Sequence, residues 1–229
     1  MRTTFNIDMF DGHLIIEVDG QKVLVDTGSP VTFGKPNHLT FMGEEYQCPY
    51  SVPGIGSIDT IVEMVKYPVD VLMGLDVIKN YYVLVDYQQQ QITFSTEPIE
   101  FESAVSAPIS TVMGCPCVEL AAKGKNVKMA VDTGARISYI DKALTEGENA
   151  EETRDDFSPM LGGNFQTPIF SMEASIGETS FPVKFGVLPT LYAAYLQRGG
   201  IYGVIGYDLF NAFPVLLDFK NNQLHIGKA

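Results

Sequence analysis

The chain has 229 residues, of which 45% are hydrophobic and 19% charged, so it can bury a sizeable core and wholesale disorder is excluded. Its 28 acidic and 15 basic residues give a net charge of −13, which disfavours nucleic-acid and anionic membrane partners. No apolar run reaches the roughly 18 residues of a membrane span, and the N-terminus lacks the pattern of a secretory signal, so we expect a cytoplasmic protein.

The first half of the chain predicts strands and turns. Leu14 to Val18 and Val23 to Val25 form a predicted hairpin around Asp19-Gly20, a dipeptide suited to positive φ. This hairpin leads directly into the triplet Asp26-Thr27-Gly28. Further along, Gly74 precedes a short helical turn over 76–80 and paired strands over 82–86 and 91–94.

The second half repeats these elements in the same order, which indicates a duplication. The repeated elements are a hairpin over 118–121 and 127–131 turning at Lys123-Gly124, the triplet Asp132-Thr133-Gly134, a helical turn over 208–212 after Gly206, and paired strands over 215–218 and 223–226. The segment from Gly74 to Phe94 aligns without gaps with Gly206 to Ile226. Six aligned positions are identical: Gly74/Gly206, Asp76/Asp208, Val83/Val215, Leu84/Leu216, Asp86/Asp218 and Gln91/Gln223.

Two lobes follow from this repeat. The segment from Ser95 to Met113 has two prolines and no clean periodicity, which predicts the connection between the lobes. We expect an N-terminal lobe at 1–98, a linker at 99–108 and a C-terminal lobe at 109–229.

The second half also contains two segments that lie between its anchors. Residues 141–156 hold seven acidic side chains and predict a solvated loop or a frayed helix. Residues 190–198 predict a short helix that ends at Gly199-Gly200.

The two Asp-Thr-Gly triplets predict a pair of facing carboxylates. Equivalent turns of duplicated lobes meet at the pseudo-twofold axis, which would bring Asp26 and Asp132 together. Two carboxylates about 3 Å apart cannot both ionise and therefore share a proton. The ionised member can take a proton from water while the protonated member polarises a carbonyl, which is sufficient for peptide hydrolysis. The alternative is a pair of tight turns in which each aspartate caps its own backbone.

The residues beside the two aspartates suit this chemistry. The hydroxyls of Thr27 and Thr133 can bond the backbone of the opposite loop and hold the carboxylates coplanar. Gly28 and Gly134 allow backbone amides to approach the carboxylates closely.

The segments LVDTGSP and AVDTGAR, each followed by Leu72-Met73-Gly74 or Val204-Ile205-Gly206, resemble the aspartic protease superfamily. The Gly-x-Asp form is closest to its retropepsin-like members, so the chain resembles a retroviral protease dimer fused into one chain. The resemblance implies an all-β fold of two pseudo-twofold-related retropepsin-like β-barrel lobes with a few short helices. It also implies that Asp26 and Asp132 are the catalytic pair.

Three residues make the two triplet loops differ. Pro30 alters the exit of the first loop because its φ is fixed and it lacks an N–H, while Arg136 places a cation beside the second loop unless it points away. Ser29 has Ala135 as its counterpart. In this fold family a hydroxyl there can donate to the carboxylate, so we expect Asp26 to carry the charge and Asp132 the shared proton.

A glycine-tipped flap is expected over the cleft by the same resemblance. In lobe two, Gly162 and Gly163 follow Asp132 by about 30 residues and are the candidate tip. In lobe one, Gly54 and Gly56 occupy a similar position. An alternative alignment matches Gly56 to Thr60 with Gly177 to Ser180 and implies that lobe one has lost its flap, which we favour.

The remaining chemistry of the sequence is sparse. Cys48, Cys115 and Cys117 suit neither a disulfide framework nor a metal site, which predicts reduced thiols. None of the three histidines is spaced for zinc or lies near a plausible nucleophile, so we expect no metal and no cofactor.

The sequence therefore predicts an aspartic endopeptidase that binds an extended peptide or protein substrate. Its active site would be complete in one chain, without nucleic-acid or membrane partners. A catalytically silent peptide-binding module with the same fold is the main alternative, and a purely structural repeat is the third.

Overall fold

The computed structural model describes residues 1–158 and 163–228. The fold is all-β, with two pseudo-twofold-related β-barrel lobes and a few short helices. The strands of lobe one are β1 Arg2–Asn6, β2 Asp8–Phe10, β3 His13–Val18, β4 Gln21–Val25, β5 Phe33–Gly34, β6 His38–Phe41, β7 Glu44–Gln47, β8 Ser51–Val52, β9 Gly56–Ser57, β10 Val71–Met73, β11 Tyr82–Asp86 and β12 Gln91–Ser95. Its helices are α1 Ile58–Val65 and α2 Leu75–Ile78.

The second lobe repeats this order with longer strands. Its strands are β13 Ser103–Pro108, β14 Ser110–Val112, β15 Cys115–Ala122, β16 Lys125–Val131, β17 Ser138–Ile140, β18 Glu152–Ser158, β19 Gly163–Ile176, β20 Thr179–Val187, β21 Gly203–Ile205, β22 Val215–Asp218 and β23 Gln223–Gly227. Its helices are α3 Thr190–Arg198 and α4 Tyr207–Ala212, with a short 3₁₀ turn at Lys142–Leu144. The predicted hairpins, strand pairs and helical turns are thus present in both halves.

One six-stranded sheet joins the lobes, in the order β1-β12-β11-β22-β23-β13. Strands β11 and β22 pair antiparallel at its centre, and Leu84 lies directly opposite Leu216. These two leucines are equivalent in the repeat, so the pseudo-twofold axis passes between them.

The segment expected as a linker, 99–108, contains a strand. Ser103–Pro108 pairs with β23 in the same way that β1 pairs with β12. The second repeat therefore begins at β13 rather than at residue 109. This strand lies at a sheet edge and buries only Ala107, which explains why its sequence lacks clean periodicity.

The same strand arrangement supports each triplet. In lobe one, β4 runs parallel to β10, and β5 pairs antiparallel with the other edge of β10. In lobe two, β16, β21 and β17 have the same relation. Each triplet therefore leaves the end of a central, hydrogen-bonded strand, which fixes the position of its aspartate.

Two local expectations were wrong. The alignment of Gly56 to Thr60 with Gly177 to Ser180 fails, because α1 follows Ser57 in lobe one whereas β20 follows Gly177. The acidic segment 141–156 is also more ordered than expected, since its last residues form β18. In contrast, α3 spans the predicted 190–198.

The hydrophobic core is continuous across the lobe interface. Its main cluster includes Val25 and Val131 before the triplets and Val83 and Leu217 in the shared sheet. Separate clusters lie beneath α1 and α3. Among the described residues, no helix has the length and apolar character that crossing a membrane requires.

Candidate active site

Asp26 and Asp132 meet at the lobe interface, at the floor of a cavity of about 400 Å³. The amide of Gly28 donates to both carboxylates, at 2.9 Å to Oδ1 of Asp26 and 3.2 Å to Oδ1 of Asp132. Asp26 also accepts from the Ser29 amide at 2.9 Å, and Asp132 from the Gly134 amide at 2.8 Å. The two carboxylates are thus held side by side by backbone donors.

The two threonines of the triplets lock the loops together. The amide of Thr27 donates to the hydroxyl of Thr133 at 3.1 Å, and the amide of Thr133 donates to the hydroxyl of Thr27 at 3.0 Å. Each hydroxyl then donates to a carbonyl of the opposite lobe, Thr27 to Val131 and Thr133 to Val25, both at 2.8 Å. All four polar groups are paired in a buried position, which makes the arrangement rigid.

The glycines of the triplets leave room for the opposite carboxylate. A Cβ on Gly28 would lie 2.3 Å from Oδ2 of Asp132, and one on Gly134 would lie 2.7 Å from Cγ of Asp26. Any side chain at either position would displace a carboxyl group.

Gly74 and Gly206 pack closely against the backbone of the two triplet loops. A Cβ on Gly74 would lie 2.4 Å from the carbonyl oxygen of Val31, and one on Gly206 would lie 2.2 Å from that of Ala135. The amides of Asp26 and Asp132 are bonded to Met73 and Ile205, which directly precede these glycines.

A hydroxyl and an aspartate support each loop, and the sequence analysis missed this role. Thr32 donates to Asp76 at 2.7 Å and accepts from the Gly74 amide at 2.9 Å. In lobe two, Ser138 donates to Asp208 at 2.6 Å and accepts from the Gly206 amide. The available signal was a hydroxyl residue six positions after each triplet aspartate.

Burial raises the pKa of both Asp26 and Asp132, and the adjacent Asp132 raises the pKa of Asp26 further, well above its usual range. Bonds from the Gly134 and Gly28 amides oppose the rise in the pKa of Asp132. Two neighbouring acids with raised pKa values titrate as a pair and hold one proton between them over a wide pH range.

The structure lacks the hydrogen bond from the Ser29 hydroxyl to Asp26 on which the expected charge asymmetry between the aspartates depends. The Ser29 hydroxyl donates to the carbonyl of Val31 at 2.9 Å, across Pro30, instead of to Asp26. Asp26 therefore receives no hydroxyl hydrogen bond from this residue. Each aspartate accepts two backbone amide hydrogen bonds, so these contacts do not assign the charge to Asp26 rather than to Asp132.

Arg136 points away from the dyad and ties three segments together. Its Nε donates to Asp156 of β18 at 2.9 Å, and its other nitrogens bond Asp11 of lobe one and the carbonyl of Asp155. Asp156 is buried and also accepts from the hydroxyl of Tyr139. The second triplet loop is thereby linked to the β18–β19 hairpin and to the other lobe.

Two hairpins of unequal size border the cavity. In lobe two, Phe157 and Ser158 of β18 and Phe165 of β19 line it, and Gly163 begins β19 opposite Ser158. Gly162 lies outside the described residues. In lobe one, the short turn between β8 and β9 brings Gly54 to the cavity.

Gly56 is not among the cavity-lining residues and lies in β9, immediately before the α1 N-cap Ser57. Apolar side chains form much of the cavity wall, with Leu24, Ile61 and Leu72 on the lobe-one side and Leu196 and Val204 on the lobe-two side, whereas Arg136 and Asp156 add charged groups. Within the described ranges, no group of three or more His, Cys, Asp or Glu side chains is arranged to hold a metal ion.

Comparison with known proteins supports the fold rather than a sequence family. No protein-family model and no curated protein matches the chain. It is similar to the solved structure of the aspartic proteinase from Irpex lacteus, with 10% identity and a TM-score of 0.56 over 100% of this chain and 98% of that chain. It also matches the simian foamy virus protease over 41% of this chain and 90% of that one, with 18% identity and a TM-score of 0.31. The full-length match shows the two-lobed fold of a pepsin-like aspartic proteinase.

Proposed function

We propose that the protein is an aspartic endopeptidase that hydrolyses peptide bonds with a water activated between Asp26 and Asp132. The observation that carries this proposal is the pair of carboxylates at the floor of the cavity, bonded by one shared backbone amide. Tight turns with aspartate caps would not require the two loops to bond each other through buried threonines.

In the proposed reaction, the ionised carboxylate accepts a proton from the water, and the water oxygen attacks the peptide carbonyl. The protonated carboxyl donates its proton to the carbonyl oxygen, which gives a gem-diol intermediate. As the C–N bond breaks, the leaving nitrogen takes the proton that the first carboxylate accepted from water, and one diol hydroxyl returns its proton to the second carboxylate. The pair ends with the single proton with which it started, and no covalent intermediate forms. Raised pKa values for Asp26 and Asp132 support this sharing.

The substrate would bind as an extended strand between the β18–β19 hairpin and the cavity floor. Apolar walls favour large hydrophobic side chains beside the scissile bond. Because each lobe contributes one aspartate, one chain is sufficient for this site. The three cysteines are unpaired, which supports our proposal of a reducing compartment, the cytoplasm.

The test is cleavage of denatured protein and of a peptide library, with products identified by mass spectrometry. Asp26→Asn and Asp132→Asn should each reduce kcat by at least about a thousandfold, because either change removes one of two required proton-transfer groups. Asp19→Asn is the matched control, since Asp19 is exposed in the turn of the β3–β4 hairpin. Retention of more than a few per cent of activity in either dyad variant would refute the assignment, and binding without cleavage by the wild type would favour the silent module.

A further inference from the structure

The two ends of the cavity are built alike but differ in chemistry. The β2–β3 turn of lobe one, Asp11-Gly12, corresponds to the β14–β15 turn of lobe two, Met113-Gly114. Asp11 and Met113 have φ values of 47° and 53°, and the glycines have φ values of 83° and 82°. The two turns thus share one backbone conformation.

Each turn contacts the triplet loop of the other lobe in the same way. A Cβ on Gly12 would lie 2.9 Å from Cβ of Arg136, and one on Gly114 would lie 3.3 Å from Cβ of Pro30. Arg136 and Pro30 occupy the same position of their loops. The next residue of each turn then bonds the opposite triplet: Nδ1 of His13 lies 3.1 Å from the carbonyl oxygen of Gly134, and Sγ of Cys115 lies 3.5 Å from that of Gly28.

The end at Arg136 is charged. Arg136 is balanced by Asp156, whose side chain is only 8% exposed and also accepts from Tyr139. Asp11 pairs with the same guanidinium, yet its side chain is 61% exposed. One cation thus faces two carboxylates, and the exposed carboxylate is available to a second cation. Burial and the nearby Arg136 both lower the pKa of His13, which disfavours a positive charge on its ring.

The equivalent end at Pro30 carries no charge at these positions. Met113 is 41% exposed, and Cys115 lines the cavity beside it. Burial raises the pKa of Cys115 to about 12, so its thiol stays neutral. This end suits an apolar side chain.

We propose that this difference gives the cleft a polarity: a basic side chain of the substrate binds Asp11, which lies beside the cavity-lining Arg136, and an apolar side chain binds at the end lined by Pro30 and Met113. The inference rests on the proposed function. An extended peptide bound along the cleft places different residues at its two ends, because successive residues of a strand advance by about 3.3 Å. The peptide therefore binds in one direction.

The cleavage profile of a randomised peptide library tests this polarity. For the wild type, we expect Lys and Arg to be enriched about three- to fivefold at one position on one side of the cleaved bond, because a partly exposed ion pair strengthens binding by about this factor. The matching position on the other side should favour apolar residues. The enrichment should weaken as salt is raised.

Two variants at equivalent positions make the test specific. Asp11→Asn retains a residue that tolerates positive φ and should abolish the basic preference. Met113→Asp copies the carboxylate onto the equivalent turn and should create a second basic preference on the other side of the cleaved bond. An unchanged profile in both variants would overturn the proposal.

A binding measurement separates this inference from the proposed function. The Asp26→Asn variant is titrated with pairs of fluorescent peptides that differ only by Lys or Glu at one position. If the wild type cleaves peptides, this position is the enriched one. If it cleaves none, each position is tested in turn. Tighter binding of a Lys peptide, lost in the Asp11→Asn/Asp26→Asn double variant, supports the polarity even if the wild type cleaves nothing. Equal affinity for Lys and Glu peptides at every position would overturn the polarity, even if the wild type is an active protease.

Discussion

At the scale of single residues, the two aspartates are positioned by backbone donors rather than by neighbouring side chains. The Gly28 amide donates to both carboxylates. The Ser29 amide also donates to Asp26, and the Gly134 amide to Asp132. The side-chain hydroxyls of Thr27 and Thr133 act on the loops instead, because each accepts a hydrogen bond from the backbone of the opposite loop. Changes to side chains that point away from the carboxylates should therefore leave the titration of the pair intact.

Ser29→Ala tests this conclusion. Because the Ser29 hydroxyl donates to Val31 at 2.9 Å, we expect the acid limb of the kcat/KM profile to stay within about 0.3 pH units of the wild type. The cost should be limited to stability, at about 1 kcal/mol for one hydrogen bond. Profiles are compared at matched ionic strength, since the net charge of −13 shifts both limbs in low salt. A shift of the acid limb to higher pH in this variant would mean that the hydroxyl reaches Asp26 after all.

At the scale of elements, the β18–β19 hairpin depends on its attachment near the second triplet. Strand β18 lies at the edge of the eight-stranded sheet and has a hydrogen-bonded neighbour on one side only. Its inner residue Asp156 bonds both Arg136 and Tyr139. These contacts connect the position of the hairpin with that of the second triplet loop.

Asp156→Ala should loosen this hairpin. The change leaves the Arg136 guanidinium and the Tyr139 hydroxyl without their buried partner, so we expect a loss of about 2–3 kcal/mol. Amide hydrogen exchange in Glu152–Ser158 should accelerate, and KM should rise more than kcat falls because the proposed substrate lies beneath the hairpin.

Arg154→Met provides the matched control on the same strand. The Arg154–Glu152 pair is exposed, with side-chain exposures of 42% and 43%, and pairs of this kind contribute under about 1 kcal/mol. Equal effects of the two variants on exchange and KM would show that the buried attachment is unimportant.

At the scale of the whole molecule, the lobes share one sheet and one core. Strands β11 and β22 continue the sheet across the pseudo-twofold axis, and the main hydrophobic cluster contains residues from both lobes. The aspartate pair lies within this interface, so its ionisation contributes to the stability of the entire fold.

The pH dependence of stability should reveal this contribution. The folded pKa values of Asp26 and Asp132 lie above their unfolded values, so the folded state binds more protons between the two. Stability from these groups is therefore present below about pH 4 and is lost as pH rises through the raised values. Asp26→Asn removes one of the two charges and should raise the melting temperature at neutral pH.

The gain from Asp26→Asn should shrink as the pH falls towards about 4, where the wild-type pair is protonated. Calorimetry of the wild type and the Asp26→Asn variant between about pH 4 and 8 measures this gain in melting temperature. Asp19→Asn is a control whose melting temperature should follow that of the wild type. A gain independent of pH would mean that it arises from packing and not from ionisation.

Some secondary-structure elements could be predicted from the sequence, and others could not. Hairpins and helical turns follow from local turn chemistry, which is why both copies were predicted. Helix α1 was missed although it has a Ser57 N-cap and buried Ile58, Ile61 and Val65 at helical spacing. The glycine spacing of the two halves concealed it, because β20, which precedes α3 in lobe two, has no counterpart before α1 in lobe one.

By itself, the sequence determined the repeat, the hairpin, helical turn and strand pair of each half, and the candidate aspartates, because these depend on periodicity and on motifs a few residues long. Only the tertiary structure decided where Arg136 points, what Ser29 bonds and how the two cleft ends differ. Arg136 meets Asp11 across 125 residues of chain, and no local spacing encodes such a contact. Long-range contacts arise when the lobes pack, and packing depends on the shape of the whole interface.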